Sequence, residues 1–298
     1  MSDIDLSLLP PPNIIEPLDY ETILAQQKAD LIGYFPECEP MLALESEPLV
    51  KQLRVLAYRE LLIRQRINEA SRALMMSFAK DAELDHIGVT YHHTPRLLIS
   101  AGDATATPPI PAVWESDDDY RYRLSLAPSG YSVAGPASAY EFHGLSASGD
   151  VKNVYADSPI PGSVDVYVLS RLDDGTPSAP LLAAVNAALN SNTVRPMCDL
   201  VTVNPANIIT YEIEATLYTY DGVGADLAIA TAQAKAAEYT AAHHRIGHTI
   251  AMSGIDAALH VAGISRVEIA SPLANITCGI GEAAYCTGIN LTFGGVSQ

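Results

Sequence analysis

Ser46-Glu47-Pro48-Leu49-Val50-Lys51-Gln52-Leu53-Arg54-Val55-Leu56 opens the most strongly periodic stretch of the chain, which continues to Phe78. Leu49, Leu53, Leu56, Ile63, Ile67, Ala70 and Leu74 step by 4, 3, 7, 4, 3 and 4 residues. That is an a/d heptad seam with one polar break at Glu60. Ser46 is placed to cap the helix, Glu47 suits its positive end, and Pro48 is tolerated in a first turn. No Gly or Pro follows before Phe78, so the pattern predicts a helix over residues 49–78, about 45 Å long. A helix of that length in a chain of 298 residues suits a bundle. Periodicity leaves open whether its partner helix is internal or comes from another subunit.

Charge singles out the same stretch. The chain carries 17 Lys and Arg against 35 Asp and Glu, a net −18. Residues 1–50 carry −9, residues 51–80 carry +5, and the remainder −14. The basic segment holds Lys51, Arg54, Arg59, Arg64, Arg66, Arg72 and Lys80. Such a helix inside an acidic chain is matched either to the chain's own N-terminal arm or to a second subunit, or it is a solvated face. The overall acidity makes nucleic acid a poor partner, because a phosphate backbone would repel it. No window approaches the 18 apolar residues of a membrane span, and Met1-Ser2-Asp3-Ile4-Asp5 lacks the basic and apolar regions of a secretory leader. Cys38, Cys198, Cys278 and Cys286 lie far apart without a CxxC, as suits free thiols made in a reducing cytoplasm.

Upstream, Pro10-Pro11-Pro12 and Pro17 exclude helix and central strand from the first 18 residues. Ile4, Leu6, Leu8, Leu9, Ile14 and Ile15 are nonetheless dense there, so this extended arm is expected to dock on something. Asp19 then caps a helix with apolar positions Tyr20, Leu24, Leu31 and Phe35, stopped by Pro36. Downstream, Asp85-His86-Ile87-Gly88 reads as a helix stop, followed by a short β-like run over Leu97–Ser100 and a Pro-rich crossing segment over 101–115. Ser116 caps a helix to about Leu126, with Asp119 as its box partner, and another helix runs from Pro136 to about Leu145. Beyond residue 150, strand-like runs (151–155, 164–169, 200–203, 208–220 and 266–270) alternate with helices over 180–189, 225–244 and 254–260, before a tail of Gly and β-formers. The expected fold is therefore α+β. It comprises an extended arm (1–18), a long-helix bundle region (19–90), a mixed helical/β linker domain (91–150) and small mixed α/β modules (151–298).

Chemistry-bearing motifs are weak. His244 and His248 have the i, i+4 spacing of metal ligands but lack the Glu of HExxH, and Gly247 falls between them. Two polar residues at a helix C-terminus explain them better. Cys278 and Cys286 have no second pair for zinc. Gly279-Ile280-Gly281-Glu282-Ala283-Ala284 matches GxGxxA by letter but lacks the strand–turn–helix context of a dinucleotide site. Asp117-Asp118-Asp119 at a helix start reads as capping rather than as a cation site. No nucleophile–base–orienter set can be named, so no catalytic, cofactor or metal-ligating residue is expected. The aromatic residues are 15 Tyr, 4 Phe and 1 Trp. That bias suits surfaces buried on assembly, or else ordinary half-buried strand tyrosines such as Tyr211, Tyr218 and Tyr220.

The run Leu44-Glu45-Ser46-Glu47-Pro48-Leu49-Val50-Lys51 is followed by Ala57-Tyr58-Arg59-Glu60-Leu61, Arg64-Gln65-Arg66-Ile67-Asn68-Glu69-Ala70 and Leu84-Asp85-His86-Ile87-Gly88. Together these resemble the baseplate J-like family of temperate phages with contractile tails. The resemblance continues through Glu115-Ser116-Asp117-Asp118-Asp119-Tyr120-Arg121, Ser132-Val133-Ala134-Gly135, Val166-Tyr167-Val168-Leu169-Ser170, Val194-Arg195-Pro196 and Ala257-Ala258-Leu259-His260-Val261, in collinear order over nearly the whole chain. It implies a non-enzymatic structural component of the baseplate wedge, in an infectious phage or a tail-derived bacteriocin. Two copies would join a second wedge protein through a helical bundle, in a sixfold ring around the hub that rearranges when the sheath contracts. Sheath-initiator and hub-proximal baseplate proteins are further implied partners, and the virion tail is the implied location after assembly in the host cytoplasm. A tail-associated cell-wall hydrolase, the alternative, would need a positioned carboxylate pair or a metal site. Under the resemblance, Leu49, Leu53, Leu56, Ile63, Ile67 and Leu74 become a candidate inter-subunit seam. Arg59, Arg64 and Arg66 would set its register, and segments 101–115 and 128–136 become candidate movable junctions.

Overall fold

In a computed structural model that describes residues 10, 12–132, 135–221 and 224–297, the chain divides into two units, Met1–Pro95 and Arg96–Gln298. The first is helical. Asp19 caps α1 (Tyr20–Tyr34), its Oδ2 accepting the Thr22 N–H at 2.8 Å. The helix ends before Pro36, whose missing N–H and fixed φ start a short turn over Pro36–Cys38 instead. After α2 (Glu39–Leu42) comes α3 (Pro48–Ala73). Ile23 and Leu24 of α1 pack on Val50, Leu53 and Ala57 of α3, with the buried Cys38 and Leu42 closing the core.

Three details of this unit differ from expectation. Glu47, not Ser46, occupies the cap position of α3, and no side chain caps it. The helix stops at Ala73 rather than Phe78, because the chain turns through tight bonds from Met75 N–H to Arg72 O and from Ala79 N–H to Met75 O and buries Ala79. Gly88 is not a stop. It is buried inside α4 (Asp81–His92), and the helix ends at His93, which takes the left-handed conformation at φ 50° ahead of Thr94 and Pro95. The stop signal comes from that residue, an uncommon left-handed non-glycine, where the sequence pointed to Gly88.

The second unit is a series of α+β layers. A two-stranded sheet of β1 (Leu98–Ser100) and β2 (Val113–Trp114) leads into α5 (Asp117–Gly130) and α6 (Ala137–Ser146). Ser116 Oγ accepts the Asp119 N–H at 3.2 Å, as the cap requires, but the Asp119 carboxylate turns to Arg171 rather than closing the box. α5 runs past Leu126 to Gly130, with Pro128 inside its last turn.

The central sheet has the order β3-β4-β5, from β3 (Val151–Asp157), β4 (Ser163–Ser170) and β5 (Leu200–Pro205). β3 and β4 are antiparallel, while β5 is parallel to β4 through the crossover helix α7 (Ala179–Leu189). Val154, Val166, Val168, Val185 and Leu189 form its core.

A single residue, Ala206, separates β5 from β6 (Asn207–Thr219). The third sheet has the order β7-β6-β8, with β7 (Ile264–Ser271) antiparallel and β8 (Glu282–Val296) parallel to β6. Tyr211, Ile213, Ala215 and Leu217 alternate inward from β6 against α8 (Ala225–His243) and α9 (Met252–Leu259). The Gly-rich tail is thus a 15-residue strand. Its glycines hid it, and one of them is required: a Cβ on Gly294 would lie 2.6 Å from Thr216 Cγ2 and 2.7 Å from the Tyr218 ring.

Candidate assembly surface

The long helix has two apolar faces, and among the described residues one of them packs inside the chain. Val50, Leu53 and Ala57 are buried against α1, with Leu49 and Leu61 partly so. Leu56, Ile63, Ile67 and Leu74 are 46%, 61%, 55% and 82% exposed, and Val55 and Leu62 flank them on the open surface. The heptad positions therefore separate: Leu49 and Leu53 belong to the internal core, while Leu56, Ile63, Ile67 and Leu74 form an exposed apolar stripe.

The basic side chains divide in the same way. Arg54 bonds Glu45. Arg64 joins Glu60 at 2.8 Å and Glu16 of the N-terminal segment at 3.1 Å. Glu60, the polar break in the seam, also accepts from Gln27 of α1 at 2.8 Å. That bond, with Arg64, holds its carboxyl below the usual range. Arg66 only approaches Glu69, at 3.9 Å. Among the described residues Lys51, Arg59 and Arg72 form no ion pair, and α3 carries a net positive charge in a chain of strongly negative total charge.

Asn68 anchors the N-terminal segment. Its Nδ2–H donates to Glu16 O at 2.8 Å and its Oδ1 accepts the Glu16 N–H at 3.1 Å. The end of the arm thus docks on its own α3; Ile4, Leu6, Leu8 and Leu9 lie outside the described residues. Asn68 escaped the sequence reading, although the signal exists. In the internal pattern Val50, Leu53, Ala57, Leu61, Arg64, Asn68, a buried carboxamide stands where an apolar side chain is expected.

The remaining motifs are occupied by structural work. Asp117, Asp118 and Asp119 pair with Arg96, Arg121 and Arg171 at 2.7, 2.8 and 2.6 Å. Glu115 and Arg123 form a buried pair at 2.7 Å, with the Arg96 and Arg123 guanidiniums both set against the Tyr120 ring. α8 ends at His243, so His244 is buried as its C-cap while His248 is exposed beyond it. Gly281, at φ 76°, belongs to the turn before β8 and does not follow a strand. Among the described residues no three His, Cys, Asp or Glu side chains are grouped to hold a metal ion, and no helix is long and apolar enough to cross a membrane. Tyr211, expected half-buried, is buried at 9% exposure, and burial pushes its hydroxyl pKa upward.

Comparison with known proteins places three domain models of one family along the chain. These are the baseplate J-like N-terminal domain at residues 45–103, the central domain at 132–205 and the C-terminal domain at 211–292. The chain is also 48% identical over 303 aligned positions to Baseplate protein J of Escherichia phage P2, an alignment that covers all of both chains.

Proposed function

Because the chain belongs to the baseplate J-like family, we propose that it is a structural, non-enzymatic component of a tail baseplate, and more finely that it builds the baseplate wedge of a contractile tail. The carrying observation is the exposed stripe Leu56, Ile63, Ile67 and Leu74, set beside Lys51, Arg59 and Arg72, which form no ion pair among the described residues. An amphipathic helix presenting apolar residues at this spacing takes another helix into its groove. The partners proposed are a second wedge protein and a second copy of this chain, in a sixfold ring around the hub that also touches sheath-initiator and hub-proximal proteins. Arg59 and Arg66 steer an acidic helix into register, and Arg64, already held by Glu16 and Glu60, contributes less. The virion tail is its destination after assembly in the host cytoplasm, and segments 101–115 and 128–136 are the places where the wedge bends when the sheath contracts.

Native mass spectrometry of this chain, alone and co-expressed with the product of the adjacent tail gene, tests the reading. A heteromer with two copies of this chain per partner is expected. A monomer indifferent to that partner overturns the helical seam. Charge reversal at Arg59, Arg64 and Arg66 is expected to weaken the complex at low salt, and an unchanged complex refutes the electrostatic part.

A further inference from the structure

The contact between the central and C-terminal modules contains a buried titratable group. His244 is 6% exposed, and its Nδ1 lies 2.7 Å from Ala284 O on β8. A carbonyl oxygen only accepts, so Nδ1 carries the proton and Nε2 is bare. That bare nitrogen is buried and has no hydrogen-bond partner. It faces the turn after β4: a Cβ on Gly175 would come within 2.7 Å of Nε2 and 2.6 Å of Leu169 Cδ1, so only glycine lets the turn approach so closely. The Tyr285 ring packs edge-on at 5.3 Å. Two residues on, the Ile246 N–H donates to Asn153 Oδ1 of β3 at 3.0 Å, which fastens the same junction.

The charged groups around His244 oppose one another. Lys152, on β3, disfavours a second positive charge, and Asp174, in the turn, favours one. Lys152 is itself pushed down to about 8, chiefly by burial, and its ammonium donates to Ala241 O at 3.5 Å. Of the flanking residues, Arg245 lies over the Tyr122 ring at 5.6 Å and His243 stacks on Tyr239 at 4.1 Å, with the His248 ring 6.3 Å from His243.

We propose that His244 is a proton-operated latch between the central and C-terminal modules: neutral, it closes the junction; protonated, it presents an N–H that finds no acceptor beside Gly175 and loosens the contact. Burial, the largest cause, lowers the affinity of His244 for a proton in the closed state. The opened chain then binds the extra proton, so the junction is at full strength above about pH 6.5 and weakens as the pH falls below it.

Amide hydrogen exchange on the full chain, corrected for intrinsic rates, tests this between about pH 7.5 and about pH 5. Protection at 171–176 and 282–286 is expected to fall on acidification, about tenfold for each pH unit by which the closed-state pKa lies below the free value, while α1 and α3 keep theirs. His244→Asn retains a donor toward Ala284 O without a titrating ring, and is expected to abolish that fall. An equal fall in the variant, or none in the native chain, overturns the proposal. If His244→Asn does not fold, Asp174→Asn is expected to carry the fall on to lower pH before it levels off, and Lys152→Gln to level it off at higher pH, because each changes the proton affinity of the closed state. A levelling-off unmoved by both is equally fatal.

Discussion

A carboxamide both donates and accepts, and Asn68 makes one bond of each kind with the backbone of Glu16, as a neighbouring strand would. Replacing it with Leu leaves the Glu16 N–H and C=O without those partners. Asn68→Leu is expected to cost about 1–3 kcal/mol in urea unfolding, and to expose residues 12–18 to proteases before the rest of the chain. The buried Glu115–Arg123 pair predicts a different pattern. Arg123→Met alone strands a buried carboxylate and is expected to cost about 3–5 kcal/mol, whereas Glu115→Leu with Arg123→Met recovers much of that loss. A double-mutant cycle measured by thermal unfolding separates the two effects. Tyr140 donates to Asp199 at 2.6 Å, and Tyr140→Phe is expected to lower stability by about 1.5–3 kcal/mol. Residues that act locally were legible in sequence: Asp19 and Ser116 cap the turns that follow them. Asn68 and His244 were not, because their partners stand 52 and 40 residues away and only tertiary structure brings them together.

At the scale of elements, α3 presents two apolar faces, one buried and one exposed, and substitutions should separate them. Leu53→Ala removes side-chain volume from the α1–α3 core and is expected to cost about 2–5 kcal/mol in denaturant. Ile63→Asp with Ile67→Asp lies on the open stripe. This pair is expected to leave the isolated chain's unfolding midpoint nearly unchanged while abolishing its recruitment into larger complexes, read by native mass spectrometry. Periodicity showed that the helix exists but merged the two faces into one seam, because Leu49 shares its heptad position with Leu56 and Ile63, and Leu53 shares its own with Ile67 and Leu74. Only the placement of α1 tells which residues it covers. β8 was hidden for the opposite reason. Its glycines weaken the strand signal, yet Gly294 is there because Thr216 and Tyr218 leave no room for a side chain. The same close approach explains Gly149, where a Cβ would sit 2.4 Å from Leu98 O, so Gly149→Ala is expected to displace β1 and to reduce stability measurably.

For the whole molecule, the α+β order of helices followed by small mixed sheets was readable from the change of hydrophobic period along the chain and from turns marked by Pro and Gly. The joining of the sheets was not. At Ala206 the amide bonds Val168 O at 2.9 Å, and at Asn207 the next amide bonds Gly281 O at 2.8 Å, so one extended segment passes from the central sheet to the C-terminal sheet without a loop. β6 then runs beside β8 in the same direction, in register from Asn207 with Glu282 to Thr219 with Val296. A pull on Leu200 against a pull on Val296 would drag these two strands past each other lengthwise. Their ladder would have to break many hydrogen bonds together, where a peeling force takes them one at a time. Under such a load this axis would transmit tension stiffly, while deformation fell on the joints between modules.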